Sequence, residues 1–96
     1  MIIGQIIGSA VATLKHEGLK SAKILLVMPA DANGTTSGEP FLAVDLVGAG
    51  EGELVMVSQG SSARVSSGNA SSPVDAAIVG ILDSLQVDGN FSFRKE

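Results

Sequence analysis

A chain of 96 residues with one uninterrupted pattern leaves room for a single domain spanning 1–96 and for no second fold. A formal charge of −4 and a pI near 4.7 remove the electrostatic reward that nucleic acid and anionic membranes offer to clustered Lys and Arg. The absence of cysteine excludes a disulfide framework and thiolate metal sites, which suits a reducing cytoplasm.

A chain this small buries only about 60% of its unfolded surface, so self-association is the expected supplement to its core. The opening "MIIGQIIGSAVATLK" imitates a secretion signal, with Ala10 and Ala12 placed like a peptidase site. It fails on its flanks: no basic residue precedes the run, Gln5 interrupts it, and it is shorter than the ~20 residues of a membrane span. At period two, Ile3, Gln5, Ile7, Ser9, Val11 and Thr13 share one face, and Ile2, Gly4, Ile6, Gly8, Ala10 and Ala12 the other. The segment therefore reads as a long strand covered on both sides, or one approached closely at its glycines.

"KHEG" then supplies charge and a glycine turn. "KILLVM" is a strand-length run stopped by Pro29, and "PADANGTTSGEP" is a polar loop with Asn33-Gly34 at its tip. "FLAVDL" is the next strand, "GAGEGE" a turn, and "LVMVS" the strand after it. Short strands at regular spacing indicate a small all-β barrel or sandwich. The segment 71–87 reads two ways. Ser72 as N-cap, Pro73 at the first helical position, Asp75 three residues past the cap, and Val74, Ile78, Ile81, Leu82 and Leu85 at helical spacing favour a helix. Gly80 interrupts that pattern, and "AIVGIL" running into "LQV" suits a strand leading to the hairpin turn "VDGN" and a final strand "FSF".

Gly48, Gly50 and Gly52 invite a phosphate-cradle reading. Such a cradle needs glycines after a strand and directly before a helix, where free amides point at the anion. Here they precede a strand, no Lys follows, and Glu51 and Glu53 repel an anion; tight inter-strand turns are the better account. His16 is the only histidine, in the charged stretch "LKHEGLK", and has no second imidazole or thiolate with which to hold a transition metal. Asp45, Asp75 and Asp83 are scattered singly, so their expected role is to accept hydrogen bonds from nearby backbone or from Arg64, with Asp75 capping a local turn. The serines of "GSSAR" and "NASSP" lack the elbow context and histidine of a nucleophile. Binding of single-stranded nucleic acid calls for stacking aromatics on a basic groove, and the only aromatics are Phe41, Phe91 and Phe93.

Three segments in order, "GQIIGSAVATLKHEGLKSAKILLV", "VDLVGAGEGELVMVSQGSSAR" and "SSPVDAAIVGILDSLQVDG", closely resemble the pentameric vertex proteins of bacterial microcompartment shells, a family that includes ethanolamine-compartment and carboxysome vertex subunits. The resemblance covers nearly the whole chain. It implies a mainly all-β fold, a five-stranded barrel of the oligonucleotide-binding type with a C-terminal hairpin. In this family "AIVGILDSLQV" is a strand, and helix is confined to turns near Ser61 to Arg64 and around Val74 to Ala76. It further implies a non-enzymatic, cofactor-free and metal-free cytoplasmic shell protein that forms homopentamers and meets hexameric and pseudohexameric shell proteins. Flat arrays of hexagonal tiles close into a polyhedron only with pentagons at the corners. A five-membered ring is a head-to-tail assembly, in which one patch meets a different patch on the neighbour. Gly4, Gly8, Ala10 and Ala12 are expected to permit close approach there. Arg64, the only arginine before position 94, is expected to bridge subunits through its planar fork. Gly48, Gly50, Gly60, Ser61, Ser62, Asp45 and Asp75 join it as expected interface or axial-opening residues. The competing reading is a monomeric barrel of the same type that binds a small ligand or single-stranded nucleic acid.

Overall fold

The computed structural model describes residues 1–68 and 73–95. Strands β1 (Ile2–Ala10), β2 (Ile24–Ala30), β3 (Phe41–Asp45), β4 (Leu54–Gln59) and β5 (Ala76–Ile81) close into a barrel in the order β1-β2-β3-β5-β4. All pairings are antiparallel except β3 with β5, which meet in parallel at Val44↔Ala77 and Asp45↔Ile78. This is the five-stranded barrel of the oligonucleotide-binding type. A helix, α1 (Ser61–Ser66), lies between β4 and β5, and β6 (Ser84–Val87) pairs with β7 (Asn90–Arg94) as a separate hairpin.

Alternation sets the interior. On β1, Gly4 and Ile6 are buried while Ile7 is exposed, and a bulge between Ile6 and Gly8 shifts the register against β2. Ile6, Val27, Val55, Val57 and Ile78 are the largest fully enclosed side chains, each stabilising the fold by about 1.5–3 kcal/mol. A second cluster of Val44, Ala63, Val74 and Ala77 lies beneath α1, with Leu19 and Ile24 packed against it. Gly4 is required by this packing, since a Cβ there would collide with Val27 Cγ1 and stand 3.2 Å from the Met28 carbonyl. Its close approach is thus to its own barrel wall. Gly8 has nothing within 4 Å of a Cβ position among the described residues, so no such approach occurs there between them.

Several expectations are corrected. β1 ends at Ala10 rather than Thr13, because Ala10 already pairs with Ile24, the first residue of β2, and among the described residues no partner strand lies beyond. Pro29 does not stop β2. Its carbonyl accepts the Ser37 amide on the side away from β1, and a residue's N–H and C=O point the same way in a strand, so the missing donor falls on that edge. The helix suggested by capping over 72–85 is instead β5 followed by β6. Residues of β5 pair with both β3 and β4, and this two-sided pairing overrides local propensity. The Ser72 cap itself lies outside the described residues. The helical turn implied around Val74 to Ala76 is also absent: 73–75 are irregular and Ala76 opens β5. The turn implied at Ser61 to Arg64 is present as α1. The "VDGN" hairpin forms as expected, with Asp88 at φ 52° and Gly89 at φ 80°, the paired positive values of a type I′ turn.

Candidate subunit interface

The glycine loop joining β3 to β4 is held from within. Asp45, half-buried at the end of β3, accepts the amides of Val47 and Gly48 at 3.1 Å on Oδ1, and that of Ala49 at 3.0 Å on Oδ2. Gly48 supplies the φ of +77° that turns successive amides toward one point. Such a concavity of N–H groups is an anion nest. Here the chain's own carboxylate fills it. The Gly50 amide donates to Glu53 Oε1 at 2.6 Å, and the Gly52 amide to the Ile6 carbonyl at 2.8 Å.

Glu53 also takes a hydrogen bond from Lys95 Nζ at 2.7 Å through its other carboxylate oxygen. Lys95 and then the Gly50 amide hold the Glu53 carboxyl below its ordinary value of 4.5, and the same contact raises Lys95 above 10.5. Gln5 Nε2 donates to the Gly52 carbonyl at 3.1 Å, tying the loop to β1 as well. Lys95 fastens the base of the C-terminal hairpin to the barrel, with Ser92 Oγ donating to the Ala32 carbonyl.

The other candidates are positioned by β5, which lies between β3 and β4. Gln59 pairs with Ala76, Asp45 with Ile78, and the Gly60 amide donates to the Asp75 carbonyl at 2.8 Å. Gly60, at φ 65°, turns the chain into α1. Ser61 and Ser62 are exposed on its first turn, while Ala63 is completely buried and anchors it. Arg64 is half-buried in the last turn, where its charge suits the helix C-terminus. Among the described residues it forms no ion pair, and Asp75 is exposed without a side-chain hydrogen bond, so the expected Asp75 turn cap is not formed. Asp45 and Ser67 border one cleft of about 300 Å³ with Gly18, Ser21 and Leu46. The structure therefore joins Gly60 to Asp75 at the turn into α1, which carries Arg64, places Asp45 further along β5 at Ile78, and commits Asp45, Gly48 and Gly50 to building their own loop.

Sequence reasoning missed the Glu53–Lys95 pair, whose members are 42 residues apart, a separation that no local pattern encodes. It also missed the exposure of Val11 and Leu14, at 96% and 93%.

Among the described residues no group of three or more His, Asp or Glu is placed to hold a metal ion. What the surface offers is backbone turns, apolar side chains and single charges around a closed barrel, the make-up of a small β-barrel assembly module. The family described as "Ethanolamine utilisation protein EutN/carboxysome" matches residues 1–83, and the chain belongs to that family. It is 45% identical to the bacterial microcompartment shell vertex protein GrpN of Rhodospirillum rubrum, over 90% of this chain and 97% of that one. It is 39% identical to the shell vertex protein EutN of Salmonella typhimurium, over 99% and 96% of the two chains. The solved structure of Gloeobacter violaceus CcmL superposes with a TM-score of 0.93 at 37% identity, over 99% of this chain and 98% of that one. That of GrpN, a pentameric microcompartment shell protein, superposes at 0.83 and 42% identity, over 91% and 99%.

Proposed function

We propose that this chain is a vertex subunit of a bacterial microcompartment shell, assembling in the cytoplasm as a homopentamer that occupies the corners of the polyhedron. The observation that carries this reading is the likeness, over nearly the full length of both chains, to vertex proteins of two kinds of compartment, one of them solved as a pentamer. Its role is geometric: a five-fold unit supplies the curvature that flat hexagonal tiling lacks, and no bond-making step is asked of any residue. Its partners at the rim are the hexameric and pseudohexameric tiles of the same shell.

Within the ring, Arg64 bridges to the neighbouring subunit, with Gly60, Ser61, Ser62 and Asp75 beside the contact. Support comes from a guanidinium that finds no carboxylate among the described residues of its own chain, and from an exposed Asp75 that likewise forms no ion pair among them. A planar fork of five donors is suited to such a contact. The test is the native mass of the purified protein, expected at five times the 9.7 kDa chain. A single-chain mass together with oligonucleotide or small-ligand binding would instead favour the monomeric-barrel alternative.

A further inference from the structure

A ring closed head to tail requires two unlike patches on each subunit, one that projects and one that receives. The projecting patch is the segment after β1. Val11 and Leu14 are almost wholly exposed, large aliphatics in a stretch with no strand partner. Single exposed hydrophobics are ordinary, but two neighbours at this exposure form an apolar prominence. The receiving patch is an apolar groove of about 120 Å³ on the seam where β3 meets the start of β5, lined by Leu19, Ile24, Leu42, Val44, Pro73 and Ala76. An engineered apolar cavity of ~150 Å³ holds one benzene-sized group, so the groove suits one aliphatic side chain.

Charge follows the same arrangement. Lys15 directly follows Leu14, and the exposed Asp75 lies on the groove's rim. Neither is in an ion pair among the described residues. At 93% exposure Leu14 does not enter the groove of its own chain. Resting on the pentameric reading above, we infer that Leu14, flanked by Val11, inserts into the Leu42-lined groove of an adjacent copy of this chain, with Lys15 meeting the Asp75 of that copy.

The chain contains no cysteine, which permits a direct test by disulfide trapping, since a bridge forms only when the two Cα atoms come within about 7 Å. Leu14→Cys and isotopically labelled Leu42→Cys chains are refolded together and oxidised, and linked peptides are identified by mass spectrometry. The expected result is a reducible link between positions 14 and 42 of different chains, with neither variant linking when refolded alone. Leu14→Asp, a surface change that leaves the far-UV spectrum intact, is expected to yield single chains at concentrations where the unmodified protein is a ring. A ring-sized native mass with no link between 14 and 42, or with Leu14→Asp still in rings, overturns the inference and leaves the pentameric reading standing. A single-chain mass for the unmodified protein overturns both. A variant that links to itself shows a like-to-like contact and overturns the inference alone.

Discussion

Asp45 Oδ2 accepts the amide of Ala49 at 3.0 Å, and Ala49 is itself 3% exposed, so one carboxylate at the end of β3 seats the buried residue of the glycine loop. Removing the carboxylate leaves several amides to find water in a turn that was shaped to meet it. Because hydrogen bonds to charged groups contribute about 1.5–3 kcal/mol each and act here on one loop, Asp45→Ala is expected to destabilise the fold by about 2 kcal/mol in urea unfolding, and Asp45→Asn by less. The same occupancy predicts that inorganic phosphate leaves the amide resonances of Gly48 and Ala49 unshifted.

Glu53 and Lys95 give stability a defined pH window. Glu53 is lowered by its contacts with Lys95 and the Gly50 amide, so its contribution is present above 4.5 and is lost as pH falls through the depressed folded value. Lys95 is raised by Glu53, so its contribution is complete below 10.5 and is lost as pH rises through the elevated folded value. Thermal unfolding across pH should show Glu53→Gln and Lys95→Met narrowing their difference from the parent protein at both extremes. The pair remains in contact with solvent, Lys95 at 42% and Glu53 at 25% side-chain exposure, and raised salt should shrink the difference.

Gly4 and Gly8 look alike in sequence and differ in what surrounds them. Gly4→Ala drives a methyl against the stiff, fully buried Val27 and the Met28 carbonyl, an overpacking expected to cost about 1–3 kcal/mol. Gly8→Ala meets open space and is expected to be neutral or stabilising by up to about 1 kcal/mol. Denaturant midpoints of the two variants provide the comparison.

Arg64→Ala should shift the ring toward smaller species in sedimentation velocity without altering the circular dichroism of the barrel. Arg64→Lys keeps the charge and loses the planar fork, so an intermediate shift is expected. A normal pentamer for Arg64→Ala would remove Arg64 from the contact.

The strands were legible because apolar alternation and β-rich runs are local signals: β2, β3, β4 and β7 lie where those runs are. The turn at Asp88-Gly89 was legible for the same reason, since its chemistry is contained in two residues. Residues 72–85 were not legible from pattern alone. Capping and spacing speak for helix locally, while the decisive facts, Val44↔Ala77 on one side and Val57↔Ile78 on the other, join parts of the chain that only the closed barrel brings together. Pro29 misled because its missing donor matters only on a side facing a ladder. The candidate interface was half legible. The glycine loop precedes a strand, β4, as its sequence suggested, and Asp45 accepts nearby backbone amides as expected, while the particular amides it gathers depend on a bend that sequence does not display. Gly60 and Asp75 were singled out separately, and their hydrogen bond follows from β4 lying beside β5.

The parallel seam has a kinetic consequence. β1, β2 and β3 can zip as neighbours along the chain, but Val44 must wait for Ala77, and contacts so far apart in sequence form slowly because the intervening loop must first be closed. The groove bounded by Leu42 and Ala76 exists only once that late step is complete. On the proposed docking of Leu14, a half-made chain at the ribosome lacks the receiving groove, so ring closure waits for the subunit's own maturation.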